Sequence, residues 1–110
     1  MNNLVESINE LGKLAFDNAV AHGFAGTNVQ DEKALLLIHS EISEAVEYLR
    51  HNNPNSDHIP EFTGIEEELA DIIIRVCNYA HAKGFRLGEA VIAKMKFNVD
   101  REYKHSGKSF

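Results

Sequence analysis

One cysteine, Cys77, stands among the 110 residues, so no disulfide can close within the chain. Its setting, IIIRVCNYA, reads as a small buried hydrophobe suited to a reducing cytoplasm. No block of lysine and arginine offsets the formal net charge of −6. A nucleic-acid backbone, whose binding depends on neutralised phosphates, is therefore not expected as a partner. No apolar run approaches the length of a membrane span, so no membrane is expected either. The opening MNNLVESINELGK lacks a basic region followed by an apolar one, and no signal peptide is expected there. There is no glycine-rich loop of the kind that cradles phosphates. The six histidines are scattered, with no i,i+4 pair of the zinc-binding sort. Strand-like alternation is nearly absent, which removes the β classes.

What remains is an ordinary globular composition, 44% hydrophobic and 25% charged. The length fits one domain, residues 1–110, with a polar tail from about 104. Glycine and proline divide the chain into four helical segments. The first runs from about Asn3 to His22, with Leu4, Ile8, Leu11, Ala15 and Ala19 at helical spacing and Gly23 behind it. The second runs from about Val29 to His51 with a stripe of Leu35, Ile38, Ile42, Ala45, Val46 and Leu49. Both prolines, Pro54 and Pro60, fall in a polar loop from Asn52 to Phe62. Thr63-Gly64-Ile65-Glu66 has the form of a capping box. It opens a third helix carrying Ile65, Leu69, Ile72, Ile73, Val76 and Ala80, which Gly84 ends. A fourth covers about Leu87 to Tyr103. The class is all-α, a small four-helix-bundle-like domain. Leu36, Leu37 and Ile74 lie off the main stripes, so apolar faces remain for assembly into an oligomer.

Two acidic pairs interrupt this pattern. Glu41 and Glu44 lie in HSEISEAVEYL, and Glu68 and Asp71 in EEELADIIIRV. Spacing of i,i+3 sets each pair on one helical face, roughly 60° apart. In each helix the apolar stripe centres roughly 90° to the same side of the first glutamate, so both pairs occupy matching shoulders. Ala34, Leu37, Tyr48 and Tyr79 share those shoulders, which predicts a second, partly enclosed surface. Four carboxylates brought together repel unless a cation holds them, and an all-oxygen set suits Mg²⁺ or Mn²⁺. Glu66 and Glu67 sit in the first helical turn, where acids complement the dipole, and are expected to be structural. Glu47 is expected to be a solvated neighbour, and His39 a surface or supporting residue beside the first pair. Phe16 and Phe24 are expected in the core.

The pattern E-x-x-E, loop, E-x-x-D resembles the MazG-like all-α nucleotide pyrophosphohydrolases. EISEAVEYLR, EEELADIIIRVCNYAHAKGF and KMKFNVDREYKHSGKSF agree with it, over roughly Ala34 to Lys108. Lys94, Asn98 and Arg101 match a further K-x-x-x-N-x-x-R string of the family, and fall within about 60° of one helical face. The resemblance implies Mg²⁺-dependent hydrolysis of a nucleoside triphosphate to the monophosphate and pyrophosphate. It implies Glu41, Glu44, Glu68 and Asp71 as metal ligands, with Glu41 or Glu44 also orienting or deprotonating the attacking water. Lys94, Asn98 and Arg101 would face the triphosphate. It also implies at least a homodimer, with a homotetramer open, and the active site near a subunit boundary. One departure stands out: Ser40 precedes Glu41 where many relatives carry a glutamate. A di-iron carboxylate bundle would want Glu-x-x-His on two helices, and neither acidic pair has it. A non-catalytic helical binding module is the remaining rival.

Overall fold

Hydrophobic spacing of 3.6 and the glycine punctuation yield the elements that they predict. The structure, a computed structural model, describes residues 2–24 and 26–101. It contains α1 (Asn2–Ala21), a single 3₁₀ turn (Gly26–Asn28), α2 (Asp31–Arg50), α3 (Gly64–Lys83) and α4 (Leu87–Asp100). No β-strand occurs among the described residues; an isolated bridge joins Asn55 to Thr63. The polar tail and Tyr103 lie outside the described residues.

The start of α3 is fixed locally. Thr63 is extended, its hydroxyl accepts from the Glu66 backbone N–H at 3.3 Å, and Glu66 returns to the Thr63 N–H at 2.9 Å. Two of the orphan donors at the helix end are thereby satisfied, as the capping box predicts. Asn53, left-handed at φ 50°, adds a third acceptor by taking the Ile65 N–H at 3.0 Å. The helix closes at Gly84, whose φ of 71° suits a residue without a side chain.

Helix α3 is the hub. It packs on α1 and α2 and touches α4, while α4 lies mainly on α1 and makes no contact with α2. Gly12 lets α1 and α3 close up, because a Cβ there would stand 2.9 Å from the Cys77 carbonyl oxygen. The buried apolar side chains of the described residues are few: Cys77, Ala80 and Ile92. Large apolar residues stay outside, including Leu36 at 68% exposure and Val99 at 83%. The radius of gyration is 16.3 Å, against about 13 Å for a compact chain of this length. The single chain is therefore open, with more apolar surface than its own helices cover.

Candidate metal centre

The matching shoulders of α2 and α3 face one another, and their acids meet. Oxygen atoms of Glu41, Glu44 and Glu68 lie within 4.8 Å of one another, and so do those of Glu67, Glu68 and Asp71. Glu68 belongs to both groups. Glu41 and Glu68 are buried, Glu67 and Asp71 half-buried, and Glu44 exposed. At such separations a pair of ionised carboxylates repels by about 3.5 kcal/mol or more, taking an effective dielectric of about 20. Several such pairs are too costly for the cluster to remain fully ionised alone.

The protonation equilibria answer that repulsion. Burial, then the hydrogen bond and charge of Glu41, push the Glu68 carboxyl up to about 8. Glu44 is raised by its hydrogen bond with Glu41 and by burial. Asp71 is raised by burial and by the charge of Glu41. Glu41 is instead held low, first by the hydrogen bond that Glu68 provides and further by Glu44 and the Arg75 guanidinium. Glu41 is thus the member whose ionised form is favoured, and Arg75 Nε donates to its Oε1 at 3.0 Å.

No N–H or O–H donor reaches Glu68 Oε2, although it is buried. A buried carboxylate oxygen without a partner is rare and costly. The possible ligands grouped with Glu68 are the carboxylates of Glu41, Glu44, Glu67 and Asp71, an oxygen set preferred by hard divalent cations. The residues present fit such an ion.

Several side chains join the cluster that the spacing of the acids does not announce. Arg75 is one; it stands four residues after Asp71 and seven after Glu68, so helical spacing on α3 contains the signal. Glu67 is another. It sits in the first turn of α3 as expected, yet its side chain is gripped by the loop before the helix. The Ser56 hydroxyl, 2% exposed, donates to Glu67 Oε1 at 2.5 Å. It also accepts the backbone N–H groups of His58 and Ile59, each at 3.1 Å. His58 Nδ1 lies 2.7 Å from Glu67 Oε2. No local sequence signal marks Ser56 or His58, because their bonds to Glu67 span 11 and 9 residues.

Other expected residues fall as follows. Ser40 is exposed and turns back on its own helix, donating to the Leu37 carbonyl at 2.7 Å. His39 is exposed. Glu47 is exposed and pairs with Arg50 and His51, a solvated neighbour as expected. Phe24 is 71% exposed rather than in the core, because the chain turns at Gly23 and carries it beyond the end of α1. The Phe16 ring is half-buried and tilts against His81 at 4.9 Å. Lys94 and Asn98 are exposed on α4, where Lys94 Nζ stands 4.4 Å from the Phe97 ring centroid. Arg101 is the extended C-cap of α4 at φ −83°, ψ 162°, so the shared helical face holds for Lys94 and Asn98 and ends before Arg101.

Beside the cluster opens a cavity of about 420 Å³ between the end of α1, the 3₁₀ turn, α2 and α3. Phe24, Ala34, Leu37, Arg75, Asn78 and Tyr79 are among its lining residues. Three of these, Ala34, Leu37 and Tyr79, are the shoulder residues that predicted an enclosed surface. Tyr48, the fourth, packs its ring over Gly64 instead. Arg75 belongs both to the cavity and to the acidic cluster. No helix of the described residues is long and apolar enough to cross a membrane. No curated protein and no solved structure matches the chain. A family model described as the MazG nucleotide pyrophosphohydrolase domain matches residues 30–101, more than half of the chain.

Proposed function

The chain belongs to the MazG nucleotide pyrophosphohydrolase family, and from that premise we propose that it converts a nucleoside triphosphate to the monophosphate and pyrophosphate. Mg²⁺ is the proposed cofactor, with Mn²⁺ able to replace it. The observation that carries the reading is the buried, unpartnered Glu68 oxygen inside an all-carboxylate cluster.

In this reading Glu41, Glu44, Glu68 and Asp71 hold the cation, which when bound neutralises phosphate oxygens and lowers the pKa of a coordinated water. Glu41, tied to Arg75 and ionised, is the fixed ligand. Glu44 is exposed at the rim, and its raised carboxyl lies closer to neutrality than an ordinary glutamate. It is the better placed of the two to take the proton of the attacking water. In-line attack of water at the α-phosphorus breaks the α–β anhydride, and pyrophosphate leaves. Arg75, between cluster and cavity, sits where a cation can offset charge on the α-phosphate while the nucleoside occupies the cavity. Lys94, Asn98 and Arg101 are assigned to the outer phosphates.

Assembly belongs to the same reading. Within one chain α4 does not touch α2, so bringing its basic face to the phosphates is work for a dimer or tetramer. The uncovered Leu36 and Ile74 suit such contacts. The test is release of pyrophosphate and monophosphate from a panel of normal and modified nucleoside triphosphates, with Mg²⁺, Mn²⁺ or chelator. Metal-dependent release by the wild type, lost in Glu68→Gln and Asp71→Asn, is expected. Full activity in both variants would sink the proposal.

A further inference from the structure

We infer that Lys33 makes this chain choose nucleotides by the base, favouring 6-oxopurines and 4-oxopyrimidines over their amino counterparts. The inference rests on the proposed reaction and concerns the end of the cavity away from the acidic cluster. The cavity-lining residues of α2 all precede Glu41, and those of α3 all follow Asp71. At a rise of 1.5 Å per residue, Lys33 stands about 12 Å along α2 from Glu41, and Asn78 about 15 Å along α3 from Glu68. With the phosphates held at the cluster and Arg75, the base is the part of the nucleotide that reaches Lys33 and Asn78.

The chemistry at that end is neutral amide with one cation. Asn28, Gln30 and Asn78 supply three carboxamides, and no carboxylate lines the cavity among the described residues. Tyr79 is part of the wall, but its hydroxyl already donates to Asp31 Oδ1 at 2.7 Å. Asp31 also meets Lys83 Nζ at 3.3 Å, so the acid two residues before Lys33 is engaged elsewhere. Phe24, exposed yet lining the cavity, offers a ring to stack on, and stacking accepts any base.

A carboxamide does not discriminate by itself. An oxo base presents a carbonyl beside a ring N–H, and an amino base presents an amino group beside a bare ring nitrogen. An amide turned one way or the other pairs with either. Lys33 breaks the tie, because an ammonium donates three N–H groups and accepts none. It bonds a carbonyl oxygen well. Against an exocyclic amino group, two donors face each other and lose water without gaining a partner. Lys33 is itself exposed, and no hydrogen bond or ion pair among the described residues engages it. Replacing it therefore leaves the helix packing alone.

The experiment is steady-state pyrophosphate release by the full chain with Mg²⁺, in wild type and Lys33→Gln. The substrates are two matched pairs: inosine against adenosine triphosphate, and uridine against cytidine triphosphate. Within a pair the sugar and phosphates are identical, so the ratio of kcat/KM values reports the base alone. Wild type is expected to favour the oxo member of both pairs by about tenfold or more. Lys33→Gln, whose carboxamide suits either base, should bring both ratios to within about threefold of equality. Anything short of the wild-type preference in both pairs overturns the inference and leaves the reaction standing. So does an equal loss on all four substrates in Lys33→Gln, which would make Lys33 a phosphate contact. Unchanged ratios in the variant assign the choice to other residues and overturn it too. A wild type that hydrolyses other nucleotides but none of these four overturns the inference alone. One that hydrolyses no nucleotide at all removes the inference and the function together.

Discussion

Replacing Glu68 by glutamine should stabilise the metal-free protein at pH 8 while abolishing its response to Mg²⁺. Glu68 titrates at about 8 in the fold, against 4.5 for an ordinary glutamate. Between those values the folded chain holds a proton that the unfolded chain has released, so folding stability falls as pH rises. Each pH unit of that window is worth about 1.4 kcal/mol. The full span would be on the order of 5 kcal/mol, shared with Glu41 and Glu44, which titrate alongside it. A difference of roughly 2–4 kcal/mol at pH 8 corresponds to about 8–15 °C in Tm for a chain of this size. The assay is thermal unfolding of chelator-treated wild type and Glu68→Gln from pH 5 to 8.5, at one protein concentration. The two should nearly coincide at pH 5 and separate as pH rises, with the variant above. His58, raised by Glu67, acts in the same sense as it loses its proton. The difference between the two proteins, not the wild-type slope, therefore isolates Glu68. Mg²⁺ at 100 times its Kd should return about 2.7 kcal/mol to the wild type and nothing to the variant. A variant less stable than wild type at pH 8 without metal would refute the account of a repelling cluster.

Two further outcomes follow from local geometry. A Cβ on Gly64 would run into the Tyr48 ring, so Gly64→Ala should cost about 1–3 kcal/mol in urea unfolding; a smaller residue at Tyr48 should recover most of it, and additive losses would refute the contact. The His58 imidazole should titrate above 6.5 by NMR, because the hydrogen bond and then the charge of Glu67 hold its proton, and Glu67→Gln should bring it down; an unmoved titration would mean that this bond does not form in solution.

The legible parts of this protein were those written in short-range periodicity. Four helices, the Thr63 capping box and the Gly84 stop depend on residues within a turn of each other, and the structure has them all. The meeting of Glu41 and Glu44 with Glu68 was also legible, because matched shoulders on consecutive helices can face only a few ways, while Asp71 gathers with Glu67 and Glu68 instead. What escaped lies in long-range pairing. The side chain of Glu67 was assigned to the helix dipole because nothing near it in sequence asks for more, and its partners Ser56 and His58 come from a loop whose path no spacing rule gives. Arg75 was hidden in an apolar run, IIIRVC, where a charge reads as an outward-facing residue. Phe24 was read as core from its chemistry alone, whereas burial depends on where the chain turns. The extent of α4 was overread at its end, and Arg101 left the helical face it was placed on.

Among the described residues α2 packs on one helix, α3, and part of the seam between them is a set of mutually repelling acids. The cation of the proposed function would then also be the clasp of the helix. Without it, the expected outcome is that α2 opens by a route cheaper than global unfolding. Amide exchange along Asp31–Arg50 would then report occupancy of the seam more directly than it reports stability, while exchange around Cys77 and Ala80 follows the whole fold. On the proposed function, such a helix would be firmer with the ion bound than without it, and the cavity that Ala34 and Leu37 of α2 help to line would share that dependence.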